Sequence, residues 1–145
     1  EQKAVDVAED MPEGAVVLGS DTVVAADGKI LGKPKSHEEA YEMIKRLAGR
    51  SHQVYTGVCL VKKGPEGEAD TVVSFYDETD VNVSPMTEKE IREYADSEEP
   101  MDKAGSYAVQ GFFARYIDGL KGSYANVMGL PVHLVYQKLK ELGAV

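Results

Sequence analysis

Ala15-Val16-Val17-Leu18-Gly19-Ser20-Asp21-Thr22-Val23-Val24-Ala25-Ala26-Asp27-Gly28-Lys29-Ile30-Leu31-Gly32-Lys33-Pro34 reads as a strand, an acid and a hairpin that carries a lysine back to the same neighbourhood. Ala15 to Leu18 is a short apolar run bounded by turn signals, which suits a strand buried on both faces. Asp21 and Thr22 fall at its end, where ligands collect in open α/β sheets. Val23 to Ala26 and Lys29 to Leu31 are expected to pair through Asp27-Gly28, since that dipeptide accepts the positive φ angles of a tight turn. Lys33 lies just past the return leg, and Pro34 after it favours an extended backbone. The expectation is that Asp21 and Lys33 face one another across a crevice. One carboxylate for a cation or an attacking water, and one ammonium for phosphate oxygens, is the pairing that an anionic substrate with a metal ion needs.

Outward from this stretch, strands and helices alternate. Ser36-His37-Glu38-Glu39 has the form of a capping box and opens a helix with Ala40, Met43, Ile44 and Leu47 on one face, stopped by Gly49. Gln53 to Val61 and Thr71 to Val83 are β-rich, and Asp80-Val81-Asn82-Val83 alternates as a strand with one solvated face does. Thr87-Glu88-Lys89-Glu90 is a second capping box. Met101 to Gly111 is too punctuated for a helix and reads as a functional loop. Phe112 to Ile117 reads as a strand, and Pro131 starts a last amphipathic helix. The fold class that follows is α/β, a mixed sheet flanked by helices.

Composition narrows the function. The chain has 145 residues, 43% of them hydrophobic and 28% charged, enough for one domain with a real core. Its formal net charge of -9 argues against nucleic acid and anionic membranes as partners. Cys59, the single cysteine, sits among apolar neighbours and reads as a structural thiol in a reducing compartment, so the cytoplasm is expected. His37, His52 and His133 lack metal-ligand spacing. The acids Asp96, Glu98 and Glu99 read as a solvated helix end. In the 101–111 loop, Asp102, Lys103, Ser106 and Gln110 crowd together, and the Gln110 amide has the donor and acceptor needed at the edge of a nucleobase.

Gly19-Ser20-Asp21-Thr22-Val23-Val24, Gly32-Lys33-Pro34, Leu47 to Gly57, Glu99 to Tyr107, Gln110-Gly111 and Val127-Met128-Gly129-Leu130-Pro131 occur in that order. Together they resemble the Maf-like nucleoside triphosphate pyrophosphatases, over essentially the whole chain. The resemblance implies an elongated α/β fold of two lobes with a cleft, similar to the inosine triphosphate pyrophosphatases. It implies hydrolysis of a nucleoside triphosphate to the monophosphate and pyrophosphate, a house-cleaning activity, with a divalent cation (Mg2+ or Mn2+) as cofactor. By matching motifs, Asp21 takes the place of the general base and metal ligand, and Lys33 and Lys3 those of catalytic lysines. Thr22 and Gln110 take substrate-binding places, and Lys103, from the same loop as Gln110, is expected to bind substrate with them. Gln110 belongs to the pattern of the branch acting on dTTP and UTP; the 7-methyl-GTP branch differs there and is the alternative. A non-catalytic role in septum formation and cell division is the other alternative. Family members are often homodimers. The family begins with a strand and a Ser-x-Ser-Pro-Arg-Arg-type loop, so the chain is expected to be one Maf-like domain, residues 1–145, lacking that strand and its arginines.

Overall fold

The computed structural model describes residues 1–145. Five strands form one sheet in the order β2-β1-β3-β4-β5, with β1 Val16–Ala26, β2 Lys29–Leu31, β3 Ser51–Lys62, β4 Thr71–Val83 and β5 Ile117–Lys121. Helices α1 (Gln2–Ala8), α2 (His37–Leu47), α3 (Glu88–Ala95), α4 (Tyr124–Met128) and α5 (Val132–Glu141) flank it. No helix is long and apolar enough to cross a membrane. The α/β class holds, but every neighbouring pair is antiparallel where a mixed sheet was expected. The cause is the connections. Asp27-Gly28, with φ of 52° and 75°, turns β1 into β2, and the polar turn after Lys62 joins β3 to β4. The one helical crossover between sheet strands, α2, leads from β2 to the far side of β1, so β2 and β3 both run against the strand between them.

β1 is also longer than its sequence suggests. Ser20 and Asp21 are poor strand formers, yet they pair with Val58 and Gly57 of β3, and the ladder runs from Val16 to Ala25 without a break. Cross-strand pairing overrides local preference here. Asp21 and Thr22 therefore lie in mid-strand, not at a strand end. β2 reaches only Val24 to Ala26, so the outer edge of β1 from Val16 to Val23 has no strand beside it.

One face of the sheet carries the main core. Ile44 and Leu47 of α2 and Ile91 and Tyr94 of α3 pack on Val24, Val54, Val81 and Val83, together with Phe113. At the other end of that face, Val135 of α5 packs on Val58 and Leu60. The opposite face is covered only at one end, where Ala4 and Ala8 of α1 meet Cys59 and Val61. Both caps form at Thr87–Glu90, whereas at α2 the Ser36 hydroxyl accepts from the Glu39 N–H (3.1 Å) and the reach-back is not made. Phe112–Tyr116 is 3-10 helix rather than the expected strand. The Glu99 carboxylate captures the Phe112 and Phe113 N–H groups (2.8 and 3.2 Å), which removes them from any ladder.

Candidate functional site

Strand alternation sends Asp21 and Thr22 to opposite faces of β1, and a cavity lies on each side. The first, about 190 Å³, is floored by Thr22, Val24 and Val54 and walled by the loop residues 102–104 and 107–110 and by Val127 to Gly129 at the C-terminal end of α4. The second, about 530 Å³, lies between α1 and the sheet and includes Glu1, Lys3, Gly19, Asp21, Gly57 and Ser74.

Local packing explains both. Gly105 sits against Val24: a Cβ on it would come within 2.8 Å of Val24 Cγ1, and its φ is +71°. Its N–H donates to Gly32 O (3.1 Å), which fastens the loop to the exit of the hairpin. Lys33 is thereby brought near Asp102. The Lys103 ammonium, hydrogen-bonded at 2.7 Å, holds the Asp102 carboxyl below the usual carboxylate range, and Lys33 adds to this. In the second cavity, Gly19 allows α1 to lie close, since a Cβ there would stand 3.3 Å from Ala4 Cβ. That contact sets Lys3, one residue earlier, beside the Asp21 cavity.

The six residues singled out from sequence thus divide. Thr22, Lys103 and Gln110 line the first cavity, with Lys33 near its Asp102 wall; Asp21 and Lys3 line the second. Asp21 lines the second cavity, while Lys33 stands near Asp102 of the first. The Asp21 side chain is exposed and makes no hydrogen bond within the chain. No group of three or more acidic, histidine or cysteine side chains converges so as to hold a metal ion by itself. The donors at hand are the carboxylates of Asp21 and Glu1, the latter accepting from Ser74 Oγ at 2.8 Å. Such hard oxygen donors suit Mg2+ or Mn2+ held by one or two carboxylates and completed by substrate phosphates and water.

Behind the first cavity lies a buried polar network that the sequence did not reveal. The Thr22 and Thr56 hydroxyls are 2.9 Å apart, and Thr56 Oγ1 donates to Asn126 O at 3.0 Å. Asn126, fully buried, donates its amide to Val54 O (3.1 Å) and Thr79 Oγ1 (3.0 Å). His52, 1% exposed, lies 2.7 Å from the Tyr107 hydroxyl, and burial pushes its pKa down to about 4. Glu99 is no solvated helix end. Its carboxylate accepts from the Tyr94 hydroxyl (2.6 Å) as well as from Phe112 and Phe113 N–H, and so pins the turn after Gln110. The available signal for Glu99 was its place in Glu99-Pro100, one residue from a proline-started turn; for Thr56 and Asn126 there was none beyond their place in or near the matched blocks.

Residues 1–142 match the Maf-like protein family. The chain is 45% identical over 141 residues to a dTTP/UTP pyrophosphatase of Lachnoclostridium phytofermentans, covering 97% of this chain and 71% of the relative. It is 49% identical over 142 residues to one of Carboxydothermus hydrogenoformans, covering 98% and 74%. It is 50% identical over 135 residues to one of Agathobacter rectalis, covering 91% and 64%.

Proposed function

The chain belongs to the Maf-like protein family, and from that membership we propose that it hydrolyses dTTP and UTP to the nucleoside monophosphate and pyrophosphate. The observation that carries the proposal is the cavity shared by Thr22, Lys103 and Gln110, backed across one strand by the cavity of Asp21 and Lys3. At about 190 Å³ the first is smaller than the ~300 Å³ at which pockets for drug-sized ligands begin, a size fit for a base rather than a whole nucleotide. Its lining is shared between apolar side chains and the polar groups of Thr22, Asp102, Lys103 and Gln110, which suits a base bound by one polar edge.

In the proposed complex the base lies against Thr22 and Gln110. The phosphates reach the ammonium groups of Lys33 and Lys3. Asp21 accepts a proton from a water molecule as its oxygen bonds to the α-phosphorus in line with the departing group. The bond from the α-phosphorus to the bridging oxygen breaks, and that oxygen leaves on pyrophosphate. The ammonium groups of Lys33 and Lys3 stabilise charge that builds on the phosphate oxygens. A divalent cation, held by Asp21 and by the phosphates, would supply further charge neutralisation there.

The test is pyrophosphate release from UTP, dTTP and GTP. The expected result is turnover of the two pyrimidines well above GTP, and a fall of about 10²–10⁴-fold on Asp21→Asn, the range of a lost general base. Near-parental turnover by Asp21→Asn would remove Asp21 from the chemistry. Equal turnover of UTP and GTP would refute the pyrimidine assignment.

A further inference from the structure

We infer that Thr56 is a positioning residue that fixes the Thr22 hydroxyl as a hydrogen-bond acceptor toward the cavity, and so selects bases with a ring N–H, uracil and thymine, over cytosine. This deepens the proposed function and rests on its placing of the base in the Thr22 cavity.

The inference follows from where the protons must go. A hydroxyl has one proton to give and two lone pairs. The partner of Thr56 Oγ1 at Asn126 is a backbone carbonyl, 3.0 Å away, and a carbonyl only accepts. The single proton of Thr56 is therefore committed. The 2.9 Å contact between Thr22 Oγ1 and Thr56 Oγ1 can then form only with Thr22 as donor. Thr22 has spent its own proton on the floor of the site, and what it offers a ligand is lone pairs alone.

The network behind it has no freedom to reverse. Thr79 Oγ1 donates to the carbonyl of Ser123 (2.9 Å), so it too is committed and must accept from Asn126 Nδ2 (3.0 Å). The same amide nitrogen donates to Val54 O (3.1 Å), which fixes the amide's orientation. Thr56, Thr79 and Asn126 are all fully buried, so water does not compete for these protons. Asn126 holds the chain at Thr56 through its backbone carbonyl and at β3 and β4 through its side chain, with one set of directions throughout.

Gln110 cannot supply this discrimination alone. Its side chain is exposed at the rim of the cavity, and a rotatable amide presents either its oxygen or its nitrogen to a base. Cytosine and uracil differ at the ring nitrogen, an acceptor in the first and a donor in the second. An acceptor-only Thr22 pairs with the donor and opposes the acceptor.

The test is a comparison of UTP with CTP, and of uridine with cytidine monophosphate, in the parent chain, Thr56→Val and Thr56→Ser. kcat/KM reads the triphosphates, and dissociation constants from calorimetry read the monophosphates whether or not turnover is fast. In Thr56→Val the acceptor for the Thr22 proton is gone, and the hydroxyl is free to turn and donate. The uridine-to-cytidine preference is expected to fall by about tenfold, the scale of one hydrogen bond in a desolvated site. Thr56→Ser keeps the hydroxyl and is expected to retain the parental preference. A preference unchanged in Thr56→Val, or lost equally in the serine variant, overturns the inference. If Thr22→Val, run alongside, leaves binding of both nucleotides untouched, it is the placing of the base that fails, and the inference falls with it. If that placing holds while the ratio ignores Thr56, only the proton order is refuted.

Discussion

Protonation of His52 should make the fold lose stability as the solution turns mildly acidic. The ring is 1% exposed, and burial lowers its pKa from an ordinary 6.5 to about 4. Between those two values the unfolded chain binds the proton and the folded chain does not, so stability is full above pH 6.5 and falls as the pH drops toward 4. The shift corresponds to ~3 kcal/mol when complete, of which about 2 kcal/mol is already lost near pH 5. That is a large share of the 5–15 kcal/mol typical of a domain (about 0.1 kcal/mol per residue). The strain would be felt at the site, because the Tyr107 hydroxyl, 2.7 Å from His52 Nε2, belongs to a residue that lines the Thr22 cavity. Urea unfolding at pH 7.5 and pH 5, on the parent and on His52→Gln, isolates the effect. The acids Asp96 and Asp102, held below the usual range by Arg92 and Lys103, lose their contributions at lower pH and cancel in the comparison. The parent should lose about 2 kcal/mol more than the variant over this range. Equal losses would refute the assignment of the proton to His52.

Two further outcomes probe the loop. Glu99→Gln places an amide nitrogen where only acceptors fit, since Phe112 and Phe113 both present N–H groups to the carboxylate; hydrogen exchange across 108–114 should accelerate, with a loss of about 1–3 kcal/mol in urea unfolding. Gly105→Ala drives a Cβ to 2.8 Å from Val24 Cγ1 at a φ of +71°; it should cost about 1–3 kcal/mol and weaken nucleotide binding through displacement of Asp102 and Lys103, read by calorimetry.

Helices α2, α3 and α5, the Asp27-Gly28 hairpin and the two long strands were legible because each rests on local signals, the caps, the glycine stops and the apolar spacing, whereas α4 was not read from any such signal. The course of β1 was not. Ser20 and Asp21 look like a break, and only their partners Val58 and Gly57, distant in sequence, carry the strand through them. The same distance hid the division of the site, since mid-strand placement is what turns Asp21 and Thr22 to opposite sides. Glu99 looked solvated because its partners, Phe112 and Phe113, arrive from across a turn. The identities of the site residues could be read from motif blocks. Their grouping depended on strand register, which one sequence does not state.

Because Asp21 and Thr22 are consecutive but back to back, β1 acts as a partition wall. In the proposed reaction the base is held in one room, and the carboxylate that takes the proton from water stands in the other. Substitutions around Thr22 could retune which nucleotide is admitted without disturbing the hydrolytic side, and the reverse. A slip of β1 by a single residue against β3 would exchange the two rooms' occupants outright, which gives the unbroken ladder along the strand a purpose beyond holding the sheet together.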